Sequence, residues 1–305
     1  MLDRTATSNG SRRRELVIAL HCSGAGAGQW RRLGETLGPE LELIAPEHYG
    51  CQSTGPWTGE HAFTLADEAA RSIALIDAAD RKVHIVAHSY GGAVALHVAL
   101  ARPDRIAGLT IYEPTAFHLL EQLGEQGAGA LTEIRAIAAE TGRGVISGDY
   151  RRAAVAFVDY WSGAGTWNSL DTALQQALVR WTPKAPLDFA ALIEEPTPAS
   201  AYARLRFPIL IMRGEHAPAP TRLIAETLPS LVREARLAVI AGAGHMGPLT
   251  HPAEVNALIV RHIREAQTCR DDASTSLAPL AACAGAALTP LQRGARKPTT
   301  VESTA

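Results

Sequence analysis

The sequence predicts an α/β fold: a mostly parallel sheet with helices on both faces, carrying an all-helical insertion. Three observations predict it. Short apolar runs such as Leu16–Leu20, Val83–Ala87 and Ile106–Tyr112 are almost uninterrupted, the pattern of strands buried on both faces. Segments with apolar residues at helical spacing alternate with these runs, the rhythm of a parallel sheet built from strand–helix–strand units. Between about residues 116 and 206 the strands stop and one helical pattern follows another.

Taken in order, residues 1–14 read as a flexible polar arm. Leu16–His21 is the first strand, and it breaks into Cys22-Ser23-Gly24-Ala25-Gly26-Ala27-Gly28, a loop of small residues. Glu42–Ala45 is the second strand. Thr64-Leu65-Ala66-Asp67 forms a capping-box-like start, and Leu65, Ala69, Ile73 and Ile76 then fall on one helical face. Val83–Ala87 is the third strand. Val94–Leu100, free of proline until Pro103, is a buried helix, and Ile106–Tyr112 is the fourth strand.

The insertion, residues 116–206, contains helical patterns at Leu131–Ala139, Tyr150–Trp161, Leu170–Trp181 and Leu187–Ile193, broken by Gly163-Ala164-Gly165 and Pro183. An insertion of this kind reads as a lid over a site. Its aromatic residues Phe157, Tyr160, Trp161, Trp167 and Trp181 either face a pocket or hold the lid together, and Trp161 and Tyr160 are the candidates for contact with substrate. The sheet resumes at Pro208–Met212, followed by a helix over Thr221–Leu231, a strand over Arg236–Ile240 and an amphipathic helix over Pro252–Ala266. The core is thus residues 15–115 and 207–266. Residues 267–305, rich in Ala, Thr, Ser and Pro without sustained periodicity, read as a disordered tail.

Composition narrows the function. The 305 residues carry 29 Lys and Arg against 31 Asp and Glu, a formal net charge of −2 with the basic residues scattered, so nothing suggests nucleic acid or an anionic membrane as partner. No apolar run approaches the roughly 20 residues of a membrane span. The Leu16–Leu20 run behind a basic segment imitates a secretory leader but is too short for one. Cys22, Cys51, Cys269 and Cys283 have neither metal-type nor redox-type spacing and are expected as reduced thiols in a cytoplasmic protein. Oligomeric state is open.

The chemistry centres on Ala87-His88-Ser89-Tyr90-Gly91, where the third strand turns directly into a helix. Such a turn strains its central residue and requires small neighbours two positions away, here Ala87 and Gly91. Ser89 is either an N-cap serine or a nucleophile. The segment resembles the small-x-Ser-x-Gly elbow of the α/β-hydrolase family. Gly242-Ala243-Gly244-His245 similarly resembles the segment carrying that family's histidine, and His21-Cys22-Ser23-Gly24 its His-Gly-x-x-Gly loop, with cysteine in place of glycine. The resemblance covers roughly residues 15–266, and the family's usual first two strands have little room before Leu16.

That resemblance implies a serine hydrolase with a helical lid, acting on a small-molecule ester or related acyl bond without metal or organic cofactor. Ser89 is the implied nucleophile and His245 the base, with the amides of Ser23 and Tyr90 as oxyanion donors. A serine at the elbow argues against the dehalogenase and epoxide-hydrolase branches, which attack with aspartate. The acid departs from the family pattern: Gly214-Glu215-His216-Ala217 has alanine where an aspartate is expected. Glu113, at the end of the fourth strand, is the first candidate, because neighbouring parallel strands lie about 5 Å apart. Glu215 is the second. The Glu47–Ser53 loop resembles a family loop that shapes the pocket wall, and His88, His97 and His216 read as structural. Two other functions remain open: carbon–carbon cleavage or lyase chemistry with the same residues, and a non-catalytic binding protein of this architecture.

Overall fold

The computed structural model describes residues 14–275. Residues 1–13 of the expected arm, residues 276–305 of the expected tail, and Cys283 with them, lie outside the described residues. Six strands form a single sheet: β1 (Glu15–Leu20), β2 (Leu41–Ile44), β3 (Val83–His88), β4 (Ile106–Tyr112), β5 (Ile209–Gly214) and β6 (Ala235–Ile240). Every pairing is parallel, and the order across the sheet is β2-β1-β3-β4-β5-β6. The register aligns Ile18 with Ile85, Ile85 with Leu109, and Leu109 with Ile209.

Between β1 and β2 lies the short helix α1 (Arg31–Thr36), and α2 (Leu65–Ala78) and α3 (Tyr90–Ala101) flank β3 in sequence. The insertion between β4 and β5 holds α4 (His118–Gln122), α5 (Glu125–Ile146), α6 (Tyr150–Ser162), α7 (Thr172–Trp181) and α8 (Ala185–Ile193). After β5 come α9 (Ala219–Leu231), α10 (Gly247–Thr250) and α11 (Pro252–Thr275).

Successive strand residues point to opposite faces, and the two cores follow that period of two. Ile18, Leu20, Ile85, Ile111 and Ile211 pack with α2, α3 and α9 on one face. Val17, Ala19, Val86, Leu210 and Met212 pack with α1 and α11 on the other. Every residue of β3 and β4 is buried, which explains why these strands read as continuous apolar runs.

Local signals set the helix boundaries. Thr64 caps α2 in a full capping box, its side chain accepting from the Asp67 amide while Asp67 accepts from the Thr64 amide. Asp171 caps α7 by accepting the Leu174 amide at 2.8 Å, so that helix begins at Thr172 rather than Leu170. The last helix differs more from the sequence expectation, since α11 continues past Ala266 to Thr275. Arg270 supplies the reason, donating to both carboxylate oxygens of Glu15 at 2.7 Å and fastening the extra turns to the start of β1.

A parallel sheet of this order changes winding direction between β1 and β3, and ligands collect beyond the carboxyl ends of strands at such a point. The loop after β1 and the turn after β3 meet there.

Candidate active site

Ser89 joins β3 to α3 with φ 55° and ψ −118°, a left-handed conformation for a residue other than glycine. Such conformations cost on the order of 1–3 kcal/mol and persist where the surroundings over-determine them. The surroundings here are tight: a Cβ on Gly91 would lie 2.5 Å from the Leu20 carbonyl oxygen, and one on Gly92 would lie 2.6 Å from Ile111 Cγ2. The Ser89 side chain makes no capping bond to α3. Its hydroxyl donates instead to His245 Nε2 at 2.8 Å.

His245 Nδ1–H donates to Glu113 Oε2 at 2.7 Å, and all three side chains are buried. Glu113 follows β4 with φ 43°; Ser89 and Glu113 are the two positive-φ residues other than glycine among the described residues. The Glu113 carboxylate also accepts the Gly214 amide on Oε1 and the Thr221 hydroxyl on Oε2, both at 2.8 Å. These three donors fix the orientation of the carboxylate toward the imidazole.

Glu215, the second candidate for the acid, is not part of this chain. It is exposed and accepts the Gly242 amide at 2.9 Å, bracing the turn before the histidine loop. Being two positions short of the expected aspartate leaves it facing that turn rather than His245.

Further contacts fix the histidine loop. Tyr112 Oη donates to the Gly244 carbonyl at 2.7 Å, and His88 Nε2–H donates to the His245 carbonyl at 2.8 Å. Because that carbonyl only accepts, His88 carries its proton on Nε2, and its Nδ1 accepts from the Gln29 side-chain amide at 3.2 Å. Burial holds the His88 imidazole well below its ordinary pKa, in keeping with this neutral tautomer. Gln29 turns its other end to the loop after β1, where its Oε1 accepts the Cys22 amide at 3.0 Å.

In that loop Cys22 has an ordinary backbone angle, and the left-handed residue is Gly24 at φ 73°. Ser23 lines a small cavity together with Ser89, Thr115 and Asp188. Phe117, Phe157, Trp161, Phe189 and Leu192 complete its wall, so the space beside the Ser89 hydroxyl is largely apolar with a few polar points. One of those points, the buried Thr115 hydroxyl, has no partner among the described residues. Tyr90 opens α3, and its amide is one of the first-turn donors that a helix leaves without an internal partner.

Among the described residues no group of three or more His, Cys, Asp or Glu is arranged to hold a metal ion. No helix among them is long and apolar enough to cross a membrane.

A family model described as the alpha/beta hydrolase family matches residues 17–258. The chain belongs to that family. Among curated proteins it resembles Lipase LipV of Mycobacterium tuberculosis, with 36% identity over 99 residues, 32% of this chain and 36% of the relative. It also resembles the putative carbamate hydrolase RutD of Azorhizobium caulinodans, with 37% identity over 90 residues, 29% of this chain and 33% of the relative. The matched stretch thus spans about a third of each curated relative's length. Among solved structures, MenH from S. aureus superposes with a TM-score of 0.66 at 15% identity, covering 85% of this chain and 96% of that one. Carboxylesterase CesB from Bacillus subtilis gives 0.63 at 18%, covering 82% and 84%. Likeness at such low identity is a likeness of fold.

In this alpha/beta hydrolase the insertion's aromatic residues divide. Trp161 stands between the Ser89 cavity and an outer cleft on its other side, its ring centroid 4.3 Å from that of His245. Tyr160 does not reach the cavity. It lines the outer cleft, packs edge-on against Trp161 at 4.7 Å and donates to Glu133 at 2.7 Å. Trp167 is buried among Ala154, Val158 and Leu178 and holds the insertion together. The sequence reading missed Gln29, Thr221, Phe117, Asp188 and Phe189. Only proximity in the fold reveals them, because each lies on a different element from the residue it serves.

Proposed function

We propose that this alpha/beta hydrolase is a serine hydrolase that cleaves a small-molecule ester or related acyl bond. The observation carrying this reading is the unbroken path of short hydrogen bonds from Ser89 through His245 to Glu113, at 2.8 and 2.7 Å, beside an apolar cavity. Ser89 Oγ attacks the carbonyl carbon while its proton passes to His245 Nε2, and Glu113 orients the imidazole and balances the charge it acquires. The amides of Ser23 and Tyr90 receive the oxyanion; a donor in that role is worth about 10²–10³ in rate. Collapse breaks the bond to the leaving group, which takes the proton from His245. Water then attacks the acyl carbon, gives its proton to His245, and releases the acid as Ser89 regains its hydrogen.

In this reading the insertion acts as a lid, with Trp161 as its part nearest the acyl group, and the apolar wall favours a small uncharged acyl portion. The thiol chemistry expected of the cysteines suits a cytoplasmic enzyme. A fluorophosphonate probe tests the proposal: the wild-type chain is labelled on Ser89, and Ser89→Ala is not. A folded wild-type chain that resists the probe and leaves p-nitrophenyl esters of graded length intact would overturn it.

A further inference from the structure

The insertion is joined to the neighbourhood of Ser89 by one buried polar path. Lys184, just before α8, donates its ammonium to Glu68 of α2 at 2.9 Å and also to Asp188 in the first turn of α8. Each carboxylate passes the connection on. Asp188 Oδ2 accepts the Ser23 hydroxyl at 2.7 Å, and Glu68 Oε2 accepts the Tyr90 hydroxyl at 2.8 Å. Lys184, Glu68, Asp188 and Tyr90 are all buried, and the ammonium lies 4.9 Å from the centre of the Tyr90 ring.

Ion pairs removed from water pay a desolvation penalty that a well-packed apolar cluster avoids, so fold stability alone is a weak reason for this one. Its two ends supply a better reason. Ser23 and Tyr90 are the residues whose amides are read above as oxyanion donors, and they belong to separate elements, the loop after β1 and the start of α3. Their side chains converge on a single ammonium. The loop carrying Ser23 is rich in small residues and has left-handed Gly24 at its centre, so its backbone needs an external hold to keep an amide on target.

We propose that Lys184, acting through Asp188 and Glu68, is a positioning residue by which the insertion sets the two oxyanion donors relative to each other. This deepens the serine-hydrolase reading and rests on it. Lys184, Asp188 and Glu68 do not touch the reacting atoms; they hold the residues that do.

Ser23→Ala and Tyr90→Phe each remove one hydroxyl, leave both backbone amides in place and cut one arm of the path; Lys184→Met cuts both. With p-nitrophenyl acetate, and with active sites counted by fluorophosphonate titration, each hydroxyl deletion is expected to lower kcat about tenfold with little change in KM. That is milder than the ~10²–10³ lost with a donor itself. Inhibition by a trifluoromethyl ketone, which forms a tetrahedral oxyanion on the serine, should weaken in step with kcat/KM. A purely structural defect would lower the titre of sites and leave both quantities unchanged per site. If Lys184→Met does not fold, the two hydroxyl deletions decide the matter alone. Wild-type values per titrated site in both would overturn the clamp while leaving the serine-hydrolase reading intact. A wild-type chain that takes no probe would defeat that reading instead.

Discussion

Glu113 accepts the backbone amide of Gly214 at 2.8 Å, so the carboxylate at the end of β4 is held by the end of β5. The segment beginning at Gly214, where the family pattern leads one to look for an aspartate, contributes a backbone donor to the Glu113 carboxylate. Thr221, at the start of α9, adds a second donor from the same region. A carboxylate one strand over thereby reaches the same imidazole nitrogen.

Glu113→Gln should therefore lower kcat/KM for p-nitrophenyl acetate by on the order of 10⁴-fold, since an amide in place of the carboxylate stabilises the wrong histidine tautomer. Glu215→Gln should stay within about twofold of wild type, because its carboxylate contacts only a turn amide at an exposed position. Steady-state kinetics on the two variants check both statements. The reverse pattern would identify Glu215 as the acid.

Trp161 separates the Ser89 cavity from the outer cleft. Trp161→Ala should join the two spaces and shift the preference from acetyl toward octanoyl esters by tenfold or more in relative kcat/KM. Deleting a buried ring of this size is also expected to cost about 3–5 kcal/mol of stability, read as a lower urea midpoint. An unchanged chain-length profile in a folded variant would show that Trp161 is not the wall.

Charge should discriminate between substrates. Asp188 lines the cavity and no Lys or Arg does, while the nearby Lys184 is already shared between two carboxylates. An acyl group ending in a carboxylate would meet like charge with no cation left to pair it. A p-nitrophenyl hemisuccinate should react about 10²-fold more slowly than the butyrate, the size of one like-charge contact in a partly shielded site. Equal rates would show that the charged end escapes to solvent.

Glu15 gives stability a dependence on pH. Half-burial raises its carboxyl, but hydrogen bonds from His84 and Arg270, with the charge of Arg270, outweigh this and draw the pKa from 4.5 down to about 2. The unfolded chain protonates this group near the ordinary value and the folded chain does not. The contribution is thus complete above about pH 4.5 and is lost as the pH falls toward 2. Glu15→Gln should be less stable than wild type near neutrality, and the gap should close across that window. Urea midpoints measured through it provide the check.

Much of the fold was legible because the signals are local. The apolar runs of β3 and β4, the Thr64–Asp67 box and the glycine after Ser89 each state their own structure. The nearness of Glu113 to His245 was legible for a different reason: neighbouring parallel strand ends lie about 5 Å apart, within reach of one imidazole. Asp188 and Ser23, bonded across 165 positions of sequence, had no such signal, since neither residue type nor spacing announces the contact. Phe117 and Phe189 look like any core aromatic until the cavity is seen. The extension of α11 was hidden by a composition poor in apolar periodicity, and it depends on a partner at the other end of the chain, Glu15.

Gln29 spans two parts of the machinery with one planar group. Its oxygen takes the Cys22 amide, and its nitrogen serves His88, which in turn steadies the carbonyl of His245. The loop after β1 and the histidine loop therefore share a single planar spacer. Any substitution of this glutamine loosens both loops at once.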